Sequence, residues 1–233
     1  MNQILVTDRL YVTNKLKKKK KMYKIQFIAS LVLVFIFSGW YVITEFDKNA
    51  SEAVSQEMLR DISINRNDGT TSDEPLVIAL NNSELVEENQ NTTLNGSYTD
   101  DEGTTYTYES VLNIPSLGIE YPILSDTSEE LLKISLNKFW GGSPNSVGNY
   151  CIVGHNYKSG KMFGKLSQIQ NDDVVQLTDL AGNTLNYKVY NMYVVDPEDV
   201  ACTSQITNGQ KEMTLITCTN GGKQRLVVKC REA

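Results

Sequence analysis

The chain has 233 residues, 40% of them hydrophobic and 21% charged, enough for one folded domain with attachments. Its net charge of −6 is unevenly spread: residues 1–24 hold seven Lys and Arg9 against Asp8 alone, so the remainder is strongly acidic. An acidic body repels phosphate backbones, which argues against nucleic acid as a partner.

The chain divides by composition at residue 25. Residues 25–44, IQFIASLVLVFIFSGWYVIT, are twenty in a row without a charge. A helix of that length rises about 30 Å, the thickness of the hydrocarbon core of a bilayer. Tyr23 near one end and Trp40 with Tyr41 near the other suit the two interfaces. Lys17 to Lys21 and Lys24 lie directly before the apolar run. The positive-inside rule therefore predicts a cytoplasmic basic segment (1–24), a transmembrane anchor (25–44) and an extracytoplasmic remainder. A cleaved signal peptide is the competing reading. Its apolar core would be too long, and no small-x-small cleavage site follows.

Residues 45–105 are acidic and polar, with Glu45, Asp47, Glu52, Glu57 and Asp61 followed by a run from Glu84 to Glu88. Such a stretch offers little apolar surface to offset the entropy of ordering, and it is expected to be a linker. Leu76 to Leu80 is its one short apolar piece, expected to pack on the domain or form a local helix.

The texture changes over residues 106–233. Tyr106–Ile114 and Ile119–Ile123 are β-rich, with Pro115 and Pro122 marking turns or edges. Ser128 reads as an N-cap with Glu129 and Glu130 in the first turn, and apolar helical spacing runs on to Leu136. Gly141 to Pro144 is a turn. Strands are predicted at Tyr150–Val153, Val174–Leu177, Leu185–Val195, Met213–Thr217 and Leu226–Cys230, with a hairpin tip at Ala181-Gly182-Asn183. Many short strands with one or two short helices make the fold class mainly β, a barrel or sandwich.

His155 is the only histidine, at the end of the Tyr150–Val153 strand between Gly154 and Asn156. A single histidine is ordinarily a structural residue; a second segment alters its reading. Thr214-Leu215-Ile216-Thr217-Cys218 is a strand, Thr219 to Gln224 a polar glycine-containing loop, and Arg225-Leu226-Val227-Val228 the next strand. In an antiparallel hairpin Cys218 and Arg225 would face each other across the loop mouth. A nearby cation lowers a thiol pKa, and a guanidinium can also donate to an oxyanion. Spacing alone leaves open a strand-end cysteine followed by a solvated arginine.

These residues resemble a known family. Thr214 to Cys218 is similar to the TLxTC motif of sortases, with Arg225 where that family places its arginine. Val153-Gly154-His155-Asn156 resembles the family's histidine segment. Leu112 to Pro115, Leu117 to Ile119, Tyr121 to Ile123 and Phe139 to Pro144 resemble its earlier strands and turns. The resemblance runs from Tyr106 to Arg231 and implies a closed β-barrel transpeptidase of Gram-positive bacteria. By the same resemblance Cys218 attacks the Thr–Gly bond of an LPxTG-like sorting signal in a surface-protein precursor. His155 protonates the leaving amine, and Arg225 holds the substrate and its oxyanion. An amine of a cell-wall precursor, or a pilin lysine, resolves the thioacyl enzyme. The expected resting pair is thiolate with imidazolium.

No cofactor is expected. The four cysteines lack the short paired spacing of a zinc site, and one histidine adds little. Glu198 and Asp199 are weak calcium candidates, against which stands a solvated turn. Cys151 shares strand parity with His155 and is expected to be core filler, as is Cys230; Cys202, in a loop-like stretch, is expected to be exposed. A papain-like protease would reverse the Cys and His order, and a caspase-like one would show QACxG instead of TLITC. A tethered, non-catalytic binding module remains the alternative of a different class.

Overall fold

The computed structural model describes residues 14–67 and 96–233, so Leu76 to Leu80 lie outside the described residues. The chain divides into two compact units, Met1–Asn49 and Ala50–Ala233. In the first, helix α1 (Asn14–Asn67) begins, and its Lys18–Thr44 stretch is long and apolar enough to cross a membrane.

Among its described residues the second unit contains the end of α1, helix α2 (Glu129–Ile134) and nine strands. The strands are β1 (Ser97–Thr99), β2 (Thr105–Ile114), β3 (Ile119–Leu124), β4 (Leu136–Trp140) and β5 (Gly148–Gly154). They continue with β6 (Val174–Asp179), β7 (Thr184–Val195), β8 (Lys211–Thr219) and β9 (Gln224–Glu232). Eight of them follow the order β2-β3-β4-β5-β8-β9-β7-β6, and β6 pairs back onto β2 at Leu112↔Leu177, which closes the barrel. Closure removes the open sheet edges. β1 adds to β2 outside the ring.

Strand alternation sorts the side chains into two sets. Tyr150, Ile152, Met213, Leu215, Leu226, Val228 and Cys230 point inward and fill the barrel with Leu112, Ile123, Phe163 and Leu177. Their neighbours Cys151, Val153, Thr214, Ile216, Val227 and Lys229 therefore face outward. Ser128 caps α2 by accepting the Leu131 N–H at 3.1 Å, as its sequence predicts. The helix ends at Ile134, however, and Leu136 opens β4. Ser135 is extended, and Leu136 pairs in parallel with Ile123, so sheet pairing takes over from helical spacing.

The linker expected at 45–105 is partly structured. Residues 51–63 are helical, and Ser55, Met58 and Ile62 are buried. Met58 and Ile62 pack with Tyr108, Val111 and Leu124 on the barrel's outer surface. Burying two such side chains stabilises by about 1.5–3 kcal/mol each, which outweighs the polar composition around them. β1 then begins at Ser97.

Candidate active site

Three adjacent strands build the site. β5 and β8 run parallel with Val153 beside Ile216 and Gly154 beside Thr217, so His155 follows directly beside Cys218. β8 and β9 are antiparallel with Cys218 opposite Arg225. His155, Cys218 and Arg225 thus form one lateral row across strands spaced about 4.8 Å apart. All three line one cavity of about 190 Å³, walled by Thr127, Leu132, Phe139 and Ile216. The hairpin expectation for Cys218 and Arg225 holds, and the structure adds His155 to the row.

Local geometry fixes each member. Gly154 precedes the histidine because a Cβ there would collide with Leu136 Cδ2 and lie 2.9 Å from Phe163. Asn156 Nδ2 donates to the Cys218 carbonyl at 2.7 Å, and Thr217 Oγ1 donates to the Gly154 carbonyl at 2.7 Å. These bonds clamp the end of β5 to the end of β8. The His155 carbonyl accepts the Phe163 N–H at 3.0 Å, and its ring lies 5.1 Å from that of Tyr157. Asn156 also bridges to Met162, closing the histidine loop. Arg225 Nη1 donates to the carbonyls of Gly222 at 2.9 Å and Gln224 at 3.1 Å, so the β8–β9 loop holds the guanidinium. Gly221 and Gly222 take φ of +66° and +87°, which lets that short loop turn.

A brace reaches this loop from the helix. Tyr121 Oη donates to Glu52 Oε1 at 2.6 Å and accepts the Met162 N–H at 3.0 Å. Neither Glu52 nor Tyr121 stood out in the sequence as part of the site. The signal was the spacing of Val54, Met58 and Ile62, which marks a packed helical face inside an acidic stretch.

Burial, and then the charge of Lys133, hold the His155 pKa below its ordinary 6.5. Desolvation disfavours the charged imidazole, so burial favours the neutral ring and opposes the imidazolium of the expected pair. Burial raises the thiols of Cys151, to about 12, and of Cys230, which suits them as inert filler. Cys202 is also buried, against expectation: it packs with Ile216 and Val227 in a short 3-10 turn at Ala201–Thr203. The Asp199 carboxylate accepts the Ala201 N–H at 2.9 Å where this turn begins. Among the described residues no three His, Cys, Asp or Glu side chains come together as a metal site.

A second cavity of about 240 Å³ adjoins the first through Phe139, Val153, Ile216 and Arg225. Val195, Pro197, Val200, Cys202 and Val227 extend it, so the row of His155, Cys218 and Arg225 opens onto an apolar groove.

Fold and site together define an eight-stranded β-barrel protein whose cleft holds a thiol, an imidazole and a guanidinium in a row. A model of the sortase domain matches residues 112–233, more than half of the chain, and the chain belongs to the sortase family. It is 29% identical over 110 residues to sortase A of Bacillus anthracis, a match covering 47% of this chain and 51% of that protein. The chain therefore spans about half the length of that curated relative. Sortase A from Corynebacterium diphtheriae superposes with a TM-score of 0.51 at 25% identity, over 55% of this chain and 61% of that one. A Clostridium perfringens sortase D5 transpeptidase does so with a TM-score of 0.50 at 25% identity, over 55% and 79%.

Proposed function

We propose that this chain is a membrane-anchored cysteine transpeptidase that cleaves an LPxTG-like sorting signal between Thr and Gly. It transfers the acyl group to an amine of a cell-wall precursor. The observation that supports this most is the lateral row of His155, Cys218 and Arg225 at the head of an apolar groove. The groove suits the apolar Leu-Pro portion of such a signal, and the row suits its scissile carbonyl.

In this reading the neutral His155 takes the Cys218 proton as the sulfur attacks the threonine carbonyl. Arg225 donates to the oxygen that becomes negative. As the C–N bond breaks, the imidazolium returns its proton to the glycine nitrogen, leaving a thioester on Cys218. The incoming amine attacks the thioester and loses its proton to His155; the thiolate leaves and is reprotonated. Proximity supplies much of the rate, because three elements of one rigid sheet hold the groups.

Lys17 to Lys21 and Lys24, directly before the uncharged run 25–44, support an orientation with the barrel outside the cell. Incubation with a library of sorting-signal peptides and amine acceptors, read by mass spectrometry, tests the activity. A Thr–amine product that Cys218→Ala does not form is the expected result. Acceptor arms carrying a peptidoglycan-type amine or a lysine-containing pilin-type segment decide which amine is used. If the parent protein processes no peptide, the barrel is a non-catalytic binding module instead.

A further inference from the structure

Lys229 lies on the outward face of β9, two residues beyond Val227 of the groove, yet it is only 9% exposed. A buried ammonium is costly unless each N–H finds an acceptor. Here two hydrogen bonds and one ion pair meet it. Nζ donates to Thr214 Oγ1 at 2.8 Å and to the Cys202 carbonyl at 3.2 Å, and it pairs with Glu212 Oε2 at 3.7 Å. Glu212 is held in turn by Arg231 at 2.8 Å and by the Tyr190 hydroxyl at 3.2 Å.

The bonds run on in one consistent direction. Thr214 Oγ1 donates to Asn149 Oδ1 at 2.6 Å, and Asn149 Nδ2 donates to the carbonyls of Cys202 at 2.9 Å and Ser204 at 3.1 Å. Gln205 closes the circuit: its Nε2 donates to the Asn149 carbonyl at 2.8 Å and its Oε1 accepts the Asn149 N–H at 3.1 Å. Lys229, Thr214 and Asn149 stand on three adjacent strands, β9, β8 and β5. Besides one another and Glu212 of β8, the groups they grip, Cys202, Ser204 and Gln205, belong to the connection between β7 and β8. That connection supplies Pro197, Val200, Cys202 and Thr203 to the groove wall.

We propose that Lys229, through Thr214 and Asn149, is a positioning residue that tethers the β7–β8 connection to the barrel. The groove for the apolar part of the acyl donor is thereby built before substrate arrives. The inference rests on the transpeptidase reading for its substrate, and on the structure alone for the tether. Without the tether, a peptide must order the wall as it binds, which weakens binding and leaves the reacting groups as they were. Lys229 stands four register positions away from the Cys218–Arg225 pair along the strands, so loss of its ammonium leaves that row in place.

Lys229→Met tests this, because each group it served keeps another partner. The Cys202 carbonyl keeps Asn149, Thr214 keeps Asn149, and Glu212 keeps Arg231. With a peptide that the parent enzyme processes, the expected result is a KM about tenfold higher with kcat within about twofold. Alkylation of Cys218 by iodoacetamide should be unchanged. Hydrogen exchange of the Thr203 and Ser204 amides, which close the 3-10 turn, should become faster. Gln205→Ala removes the peripheral clamp and should shift KM and exchange the same way by a smaller factor, so a poorly folding Lys229 variant does not end the test. An unchanged KM, or a loss confined to kcat, overturns the proposal. If the parent processes no peptide, the transpeptidase reading fails separately, and unchanged exchange in both variants then overturns the tether.

Discussion

Tyr121→Phe deletes one oxygen that serves two hydrogen bonds, and the structure sets the size of the loss. The hydroxyl donates to Glu52 Oε1 at 2.6 Å and accepts the Met162 N–H at 3.0 Å. Tyr121 is 6% exposed and Met162 1%, so water does not replace the lost acceptor. Stranding a buried amide costs about 1–3 kcal/mol, and a bond to a carboxylate contributes about 1.5–3 kcal/mol. Glu52 is only half-buried, which places its share at the lower end. The variant should therefore lose about 3–4 kcal/mol in urea unfolding, a large part of the stability of a typical domain but not all of it. Glu52→Gln keeps an acceptor for the hydroxyl and should lose only about 1 kcal/mol. Because Met162 bridges Asn156, the histidine loop loosens with the bond. Turnover of Tyr121→Phe should fall by roughly ten- to a hundredfold, as small misplacements of reacting groups do. A stability loss under about 1 kcal/mol with unchanged turnover would refute both the brace and its link to His155.

Cys218→Ala should abolish acyl transfer and leave the fold intact, measured by product mass and circular dichroism. The Ala variants of Cys151, Cys202 and Cys230 should keep most activity and lose about 1–3 kcal/mol, since all three are buried; full transfer by Cys218→Ala would end the thiol mechanism. As the only histidine, His155 can be titrated by NMR without ambiguity, and its midpoint should lie below 6.5. With the folded pKa depressed, the unfolded chain binds more protons, so this group's contribution is complete above 6.5 and is lost as pH falls from there through the folded value. The parent should thus lose stability relative to His155→Gln in that acidic window, and a midpoint above 6.5 would reverse the sign. Arg225→Lys should cost about a hundred- to a thousandfold in transfer, the loss of an oxyanion donor. An ammonium cannot keep both the Gly222 and Gln224 bonds of Nη1 and still present a planar fork; near-normal transfer would show that charge alone suffices.

Several features follow from the sequence because their signals are local. An uncharged run of twenty residues behind a lysine block has few structural uses. Strand alternation around Cys151, Ile216 and Val228 is a matter of parity, so the inward and outward faces of β5, β8 and β9 are legible before any folding. The N-cap at Ser128 and the Cys218–Arg225 hairpin depend on neighbours only a few residues away, and both are present as read. The motif around Cys218 identified the family.

Tertiary structure decided whatever depends on which strand lies beside which. The sequence separates His155 from Cys218 by more than sixty residues, and only the parallel pairing of β5 with β8 puts them in one row. Leu136 obeyed helical spacing until β3 offered it a ladder. Residues 51–63 were masked by their acidic neighbours, because a narrow apolar face gains its stability from the barrel it meets. Cys202 and Lys229 are the plainest cases. The loop cysteine reads as exposed, and nothing local marks the strand lysine for burial; both are buried because the β7–β8 connection folds over three strands and needs hydrogen bonds there. Local patterns set which way a side chain points, whereas burial of a polar group is settled only by the acceptors that distant segments bring to it.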